Sequence, residues 1–335
     1  MKNVVFLDDL KESDIRPGKM YNEYKELLAQ DVNKYFSDPS LLVKVDCPGC
    51  LGKDFKAIFN KNGFNYCICN KCGSFFVSPR PAKEELNNFY KISHSGKFLR
   101  RTLLNSTLDS RSKNIFSYRL QWIIGLVEEY LPKAENFLDY NTRYPQFLRE
   151  LSAANVFSSL VCVNPECYEA EDIIKSCVNV YPESGIDNNK VDMIAAFDII
   201  ERVFNPRDLF QYAAKVCCPG GLFVFTTTTS SGFEYKILGA HSPNIIVPDR
   251  MNILSLEALV DTLNREGFEV LEVSTPGRLD VEMVRKTLED DPKIPVDDFW
   301  KYIFTRRGPE AMHALQEYLQ QFQLSAHARI AAKKR

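Results

Sequence analysis

The sequence lacks an apolar run long enough to span a bilayer, so hydropathy predicts no membrane-spanning helix. It also has little net charge, formally -2, and therefore lacks the basic domain that nucleic-acid binders usually carry. Its first residues become acidic too early for a signal peptide. With 335 residues, 45% of them hydrophobic and 26% charged, we expect a soluble globular chain of one large or two modest domains.

The ten cysteines show no pattern of a disulfide framework. Five form a tight early cluster: Cys47, Cys50, Cys67, Cys69 and Cys72. The others lie in or beside apolar segments: Cys162, Cys167, Cys177, Cys217 and Cys218. This usage, one metal cluster plus buried thiols, predicts a cytoplasmic protein.

Two Cys-x-x-Cys knuckles, separated by a short polar hairpin, predict a structural zinc ribbon over residues 46–82. Their thiolates can converge tetrahedrally on one zinc ion: Cys47, Cys50, Cys69 and Cys72. Gly49 and Gly73 lie where each knuckle turns. Cys67 is one residue from Cys69 and would point to the other face of a strand, so we exclude it as a ligand.

The segments around the ribbon have helical character. Residues 1–45 form a helical lead-in that ends at Asp38-Pro-Ser40, and residues 83–132 form a helical linker. Within the linker, Asp109–Tyr130 is predicted to be one long amphipathic helix, ended by Pro132. Residues 91–107 lack strong periodicity, and His94 is expected in an exposed loop.

From residue 133 onward strands and helices alternate, which predicts a mostly parallel sheet with helices on both faces. The predicted strands are Asn136–Tyr140, Leu160–Asn164, Val178–Tyr181, Val191–Phe197, Leu222–Thr227 and Phe268–Ser274. The predicted helices are Tyr144–Ala154, Glu169–Cys177, one from Asn205 to Cys218, Ser255–Glu266, and further helices over residues 281–323.

The turn after the first of these strands lacks glycine. In an α/β nucleotide-binding domain this turn holds the cofactor, and glycines allow its backbone to approach closely. Here the three positions read Asn141, Arg143 and Pro145. Asparagine tolerates a left-handed backbone, whereas arginine and proline do not fit the usual close approach.

Several spaced motifs together resemble one family. Cys47-Pro-Gly-Cys50 with Cys69-Asn-Lys-Cys72, and Pro79-Arg-Pro81 after them, look like the N-terminal ribbon of bacterial class I S-adenosylmethionine-dependent methyltransferases. Val191–Pro206 resembles their fourth strand and its loop, and Cys218-Pro-Gly-Gly221 resembles their turn before strand five. The resemblance covers about residues 45 to 335. It implies a Rossmann-like methyltransferase sheet with a zinc ribbon and helical additions.

The family sheet ends in an antiparallel strand beside strand five, which implies the same for the tail around His327–Lys333. By propensity alone this alanine-rich tail would be helical. Tertiary context can override such a weak preference, and we therefore expect a strand.

The resemblance also implies site residues. The cofactor side would be formed by Asp139, Asn141, Arg143, Asn164, Phe197 and Asp198. The acceptor side would be lined by Glu201, Tyr235, Arg250 and Asn252, of which the first three are candidate catalytic residues. Two positions where the family often has histidine, the side chain best suited to proton transfer, are Arg202 and Arg250.

Three functions remain open. The first is a methyltransferase that acts on a sugar or nucleotide-sugar in surface-polysaccharide modification, where the two arginines would bind an anionic group unless they pair with Asp198 and Asp249. The second is a catalytically inactive relative with a binding or scaffold role and a protein partner. The third, an RNA modifier, would use a basic patch of Lys53, Lys56, Lys61, Lys71, Arg100 and Arg101.

Overall fold

The structure is a computed structural model that describes residues 4–6, 10–141, 144–163, 178–188 and 190–335. Its strands are β1 Leu42–Val43, β2 Phe55–Lys61, β3 Phe64–Cys69, β4 Phe75–Val77, β5 Arg80–Pro81, β6 Asn136–Tyr140, β7 Ser159–Val163, β8 Asn179–Tyr181, β9 Val191–Phe197, β10 Cys217–Thr228, β11 Asn252–Ile253, β12 Phe268–Ser274 and β13 His327–Lys334.

The α-helices surround two sheets. They are α1 Glu12–Ile15, α2 Gly18–Phe36, α3 Lys83–Ile92, α4 His94–Phe98, α5 Leu108–Arg111, α6 Ser117–Tyr130, α7 Pro145–Ala153, α8 Pro206–Val216, α9 Phe233–Leu238, α10 Leu256–Arg265, α11 Asp280–Asp290, α12 Asp298–Arg306 and α13 Pro309–Gln321. The predicted helix Glu169–Cys177 lies outside the described residues. None of the described helices combines the length and hydropathy that a bilayer-spanning segment needs.

In the described part of the chain, seven strands form the central sheet in the order β12-β13-β10-β9-β6-β7-β8. The strands from β10 to β8 run parallel to one another. Strand β9 is buried along almost its whole length, as its apolar sequence predicts for a central parallel strand. The α/β, Rossmann-like methyltransferase fold expected from the sequence is confirmed.

The last strand, β13, confirms the expected antiparallel pairing. It lies between β10 and β12 and pairs antiparallel with both, with Thr228 opposite His327 and Thr226 opposite Arg329. Its alanines are fully buried between the helices that cover the sheet. Hydrogen bonds on both edges outweigh the local preference of alanine for helix.

A second sheet in the order β11-β4-β3-β2 contains the ribbon. Strand β11 comes from the far part of the chain and pairs antiparallel with β4, with Asn252 opposite Phe76. Buried aromatic rings of this sheet also pack on α2, since Phe36 lies 6.0 Å from Phe64 between ring centroids. The ribbon is therefore joined to the rest of the molecule by backbone hydrogen bonds as well as by packing.

Four local expectations are corrected. Residues 91–107 are largely helical, and His94 is the exposed first residue of α4. The predicted helix Asp109–Tyr130 begins at Leu108 and is interrupted by a π-helical stretch, Ser112–Phe116, before α6. Another π-helical stretch covers Leu99–Leu104. Cys218-Pro-Gly-Gly221 lies inside β10 as a register shift between Cys217 and Leu222, and not before the strand.

Candidate active site and metal centre

Four cysteines of the ribbon form a compact sulfur cluster. The Sγ atoms of Cys47, Cys50, Cys69 and Cys72 all lie within 4.8 Å of one another. The Cys47–Cys72 and Cys50–Cys69 sulfur distances are both 3.5 Å. Tetrahedral zinc with bonds of about 2.3 Å would place its sulfurs roughly 3.8 Å apart, and these two sulfur distances lie within a few tenths of an ångström of that value.

The geometry of this cluster is that of a closed structural site. Four protein sulfurs complete the tetrahedral coordination of zinc and leave no position for a substrate. Cys67 is buried and its thiol faces the carbonyl of Ser78 at 3.8 Å, away from the cluster. Gly73 adopts φ +70°, a left-handed turn that favours glycine in the second knuckle.

The first knuckle packs directly on α10. A side chain at Gly49 would place its Cβ atom 2.9 Å from Cβ of Ala258, so only glycine fits there. The carbonyl of Gly49 accepts hydrogen bonds from Thr262 Oγ1 at 3.0 Å and from Arg265 Nη2 at 2.5 Å. On the second knuckle, the hydroxyl of Ser230 donates to the carbonyl of Gly73 at 2.9 Å. The two knuckles thereby contact α10 and the loop after β10, which flank the central sheet.

A cavity of about 260 Å³ opens at the carboxyl edge of the central sheet, beside the ends of β9 and β10. In open α/β sheets this edge is where ligands bind. The start of the antiparallel strand β13 reaches the same edge. Lining residues from these three strands and the loops after them include Asp198, Glu201, Thr226, Thr228, Glu234, Asn244, Asp249, Arg250, His327 and Arg329.

The other walls of the cavity come from segments before the sheet. The N-terminal segment supplies Phe6, Leu10, Ile15, Arg16, Tyr21 and Tyr24. The linker helices supply Leu99, Leu103, Leu104, Arg111, Asn114, Ile115, Tyr118 and Arg119. Tyr24 donates a hydrogen bond from its hydroxyl to Asp249 Oδ2 over 2.5 Å, which fixes α2 against the loop before β11.

At the end of β9, Asp198 pairs with an arginine that the sequence analysis did not single out. Arg119 Nη2 lies 2.5 Å from Asp198 Oδ2, and Thr226 donates to Asp198 Oδ1 at 2.8 Å. Burial opposes the charge of Asp198, but Arg119, His327 and Thr226 together outweigh it and hold the pKa of the carboxyl well below its usual range. The Arg119 guanidinium also lies 4.7 Å from the ring centroid of Phe197.

Glu201 and Arg250 both line the cavity and form an ion pair. Arg250 Nη1 lies 3.4 Å from Glu201 Oε1, and the hydroxyl of Thr227 donates to Glu201 Oε2 at 2.8 Å. Burial raises the pKa of the Glu201 carboxyl, with Asp198 adding to the shift and Arg250 opposing it. A buried carboxyl with a raised pKa is the kind of group that accepts a proton in catalysis.

His327 is a further titratable group that lines the cavity. Burial lowers the pKa of its imidazole to about 4, and the nearby arginines lower it further while Asp198 opposes the shift. The ring is therefore neutral near pH 7 and can accept a hydrogen bond. From the sequence, His327 is predicted only as part of the final strand. Its position at the start of a strand beside strand five is the feature that could have identified it as a site residue.

The first residue after β6 has a left-handed backbone although it is not a glycine. Asn141 adopts φ +57°, and its N–H donates to the carbonyl of Val163 at 2.8 Å. Asp139 is almost fully buried in β6, opposite Ala195 and Cys162. Arg143 and Asn164 lie outside the described residues. The asparagine thus supplies the left-handed conformation for which this turn usually needs glycine.

Two acceptor-side expectations are corrected, and the pairing of Arg202 with Asp249, left open by the sequence, is found. Tyr235 lies in an apolar cluster, 1% exposed, and does not line the cavity. Asn252 is fully buried and donates from Nδ2 to the carbonyls of Ile200 and Val203, so it joins two loops. Arg202 pairs with Asp249 at 3.0 Å and packs over the ring of Tyr90. The contacts of these three side chains lie in the protein interior.

Glu234, which the sequence analysis did not identify, lies at the cavity wall with 1% exposure. It accepts hydrogen bonds from the hydroxyl of Ser242 and from Asn244 Nδ2, the latter at 2.7 Å. Burial raises the pKa of Glu234 to about 7, opposed by these two hydrogen bonds. In the sequence Glu234 is one glutamate in a short apolar helix, and this pattern is too weak to identify it as a site residue.

This fold implies S-adenosylmethionine as the cofactor, and two residues at the sheet edge have the chemistry to bind it. Arg119 Nη1 is buried without a hydrogen-bond partner among the described residues, although its side chain lines the cavity. A guanidinium with a free donor suits a carboxylate such as that of the methionine group. Together with the left-handed turn at Asn141, this donor shows that the residues present fit the cofactor.

Comparison with known proteins agrees with the fold. A family model described as "Methyltransferase domain" matches residues 114–273. No curated protein matches the sequence. Among solved structures, a Haemonchus contortus phosphoethanolamine N-methyltransferase bound to phosphomonomethylethanolamine and S-adenosylhomocysteine is 16% identical, with a TM-score of 0.46 over 78% of this chain and 62% of that one.

Two further solved structures are similar at a comparable level. Geranyl diphosphate C-methyltransferase from Streptomyces coelicolor is 13% identical, with a TM-score of 0.40 over 64% of this chain and 77% of that one. The [4+2]-cyclase SpnF is 18% identical, with a TM-score of 0.41 over 64% of this chain and 80% of that one. Residues 114–273 are thus similar to a methyltransferase domain, and the central sheet has the Rossmann-like methyltransferase fold.

Proposed function

We propose that the chain is an S-adenosylmethionine-dependent methyltransferase that acts on a hydroxyl of a small, anionic acceptor. The observation that carries this proposal is Glu201, a buried carboxyl with a raised pKa that lines the cavity at the carboxyl edge of the sheet. A hydroxyl must lose its proton when its oxygen is methylated, and a positioned carboxylate can accept that proton.

The residues around Glu201 have complementary roles. Arg119 would hold the carboxylate of the cofactor through Nη1, and Asn141 would present the backbone of the turn. Bound S-adenosylmethionine supplies an electrophilic methyl group. Glu201 would take the proton of the acceptor hydroxyl, while Arg250 orients the Glu201 carboxyl from 3.4 Å. His327, neutral near pH 7, would accept a hydrogen bond from the acceptor.

A sugar or nucleotide-sugar, as in surface-polysaccharide modification, is the acceptor class that we propose. Such acceptors combine hydroxyls with phosphate or carboxylate groups, and the described cavity wall includes Arg16, Arg111, Arg119, Arg250, Arg278 and Arg329. The eight described cysteines form no disulfide, which supports a cytoplasmic location. Zinc in the four-cysteine cluster would have a structural role.

The first test is calorimetric titration of the full chain with S-adenosylmethionine and S-adenosylhomocysteine. We expect both to bind, and Arg119→Gln to weaken binding about tenfold or more, because a charge-assisted hydrogen bond is lost. Arg306→Gln, at an exposed arginine of α12, is the matched control. Absence of heat at high protein concentration would exclude the proposed reaction.

One observation favours a second function, that of a non-catalytic binding protein. The Arg119–Asp198 pair, with the rings of Phe197 and Tyr144 4.7 and 5.7 Å from the guanidinium, occupies the corner at the end of β9. If this corner stays closed, neither cofactor form binds to the wild-type chain. Binding in Tyr144→Ala alone would then identify the closed corner as the cause.

A further inference from the structure

Arg16 presents a positive charge to the cavity from the N-terminal segment. It follows α1 directly, and its guanidinium lies 5.2 Å from the ring centroid of Tyr21. Its Nη1 donates to Oδ1 of Asn244 over 2.6 Å. This acceptor is a neutral amide oxygen, and in the described part of the chain the guanidinium pairs with no carboxylate within 4.0 Å. Its charge is thus available to a ligand.

The orientation of Arg16 is set by a buried chain of hydrogen bonds. Asn244 Nδ2 donates to Glu234 Oε2, and the Arg16 guanidinium, which has only donors, faces the other end of the amide. The amide oxygen of Asn244 must therefore face Arg16. Ser242 donates to the other oxygen of Glu234, and Ser242, Asn244 and Glu234 are all buried. Such a network holds the guanidinium in place before a ligand arrives.

The segment that carries Arg16 is also anchored at two residues that precede it. Arg111 Nη2 donates to the carbonyl of Ile15 at 2.7 Å, and Lys286 Nζ lies 3.0 Å from Glu12 Oε2. Arg16 is separated from these anchors by only one and four residues. The guanidinium is therefore fixed to the cavity wall and does not depend on a free terminus for its position.

We propose that Arg16 is an oxyanion-binding residue of the cavity, positioned by Asn244 and Glu234, and that it recognises a phosphate or carboxylate group of the acceptor. A planar guanidinium with unused N–H donors matches two oxygens of either group. This inference rests on the proposed function, because only a methyltransferase has a methyl acceptor. It adds the charged group that this acceptor carries beside the hydroxyl that is methylated.

The test measures binding of three sugars to the full chain by calorimetry: glucose 1-phosphate, glucuronate and uncharged glucose. We expect the wild type to bind one or both charged sugars and to bind glucose at least about tenfold more weakly. The stronger charged probe identifies phosphate or carboxylate as the natural group. Equal binding of glucose and the charged sugars, or no binding of either charged sugar, would overturn the proposal.

Arg16→Gln is compared with Lys19→Gln, which removes the same charge from an exposed side chain three residues away. We expect Arg16→Gln to weaken binding of the charged sugar about tenfold or more, Lys19→Gln to leave it unchanged, and Arg16→Lys to lie between them, since lysine keeps the charge but not the planar fork. Equal affinities of the two glutamine variants would contradict the role of Arg16. Arg16→Lys also serves if Arg16→Gln folds poorly.

Cofactor binding is measured separately on the same variants. Loss of charged-sugar binding in Arg16→Gln with unchanged affinity for S-adenosylhomocysteine supports a distinct oxyanion site. If neither the wild type nor any variant binds S-adenosylhomocysteine, but the wild type and Lys19→Gln bind the charged sugar, the proposed methyl transfer fails and the oxyanion site stands. The two failures are thereby distinguishable.

Discussion

Arg80 donates a hydrogen bond from Nη1 to Oδ1 of Asn252 over 2.7 Å, and its side chain has no solvent exposure. The same guanidinium donates to the carbonyls of Val77 and Phe204. Asn252 in turn holds the carbonyls of Ile200 and Val203. One arginine of the ribbon thus ties together the two loops that carry Glu201 and Arg250.

We expect Arg80→Met to destabilise the protein by about 3 kcal/mol, because three buried oxygens lose their donor. The loops 199–205 and 249–253 should exchange their amide hydrogens faster, while β9 stays protected. Urea unfolding and hydrogen-exchange mass spectrometry measure the two effects. Arg306→Met, at an exposed arginine, is the control and should change neither. Unchanged exchange of both loops would show that Arg80 does not position them.

Three of the six predicted strands have the correct bounds, whereas those predicted at Leu160–Asn164, Val178–Tyr181 and Leu222–Thr227 are Ser159–Val163, Asn179–Tyr181 and Cys217–Thr228 in the structure. Asn136–Tyr140, Val191–Phe197 and Phe268–Ser274 match the structure residue for residue. Each is a short apolar or alternating run bounded by turn residues, so local signals suffice. The strand at His327 needed the resemblance, because its pairing with β10 and β12 overrides the preference of its alanines.

The helical linker was harder to predict for a local reason. In the π-helical stretch Leu99–Leu104, the wider turns shift apolar residues away from a period of 3.6, so the search for amphipathic spacing misses them. Leu99, Leu103 and Leu104 nevertheless face the core. The same wide turns at Ser112–Phe116 interrupt what looked like one continuous helix.

The candidate site could be predicted only where its residues follow a strand. Asp198, Glu201 and Arg250 were identified and do line the cavity. Arg16 and Arg119 were missed because their partners lie far away in the chain: Arg119 pairs with Asp198, 79 residues later, and Arg16 with Asn244, 228 residues later. The interior position of Tyr235 likewise depends on packing between distant segments.

Removal of zinc is predicted to loosen the same two loops that Arg80 holds. We expect one zinc per chain by atomic emission, and its loss in Cys47→Ser, which breaks the tetrahedral site. Chelation of the wild type should then raise amide exchange in loops 199–205 and 249–253. Cys67→Ser is the matched control, since Cys67 is buried in the same ribbon but faces Ser78, and it should retain zinc. Loss of zinc in Cys67→Ser would show that Cys67 is a zinc ligand.

Glu201→Gln is predicted to lower the rate of methyl transfer about a hundredfold or more, because glutamine cannot accept the acceptor proton. Affinity for S-adenosylhomocysteine should remain close to wild type. Since only ionised Glu201 accepts a proton and its pKa is raised, the wild-type rate should increase as the pH rises through that pKa. Glu257→Gln, at an exposed glutamate, is the control. A rate in Glu201→Gln that matches this control would exclude Glu201 as the base.

Glu234 is predicted to make the stability of the protein fall as the pH rises. Burial raises its pKa to about 7 from an ordinary value of 4.5, with Asp280 adding to the shift and Arg16 opposing it. Between these pH values the folded chain holds a proton that the unfolded chain has lost, so each increase in pH favours unfolding. The full effect is about 3 kcal/mol between pH 4 and pH 8.

The measurement is urea unfolding of the wild type and of Glu234→Gln at several pH values. Glutamine cannot ionise, and the cost of its altered hydrogen bonds with Ser242 and Asn244 is the same at every pH. The wild type should therefore lose about 3 kcal/mol relative to the variant as the pH rises from 4 to 8. Parallel curves would show that Glu234 does not titrate in this range. Because ionised Glu234 adds a negative charge beside Asn244 and Arg16, binding of charged sugars should weaken over the same interval in the wild type alone.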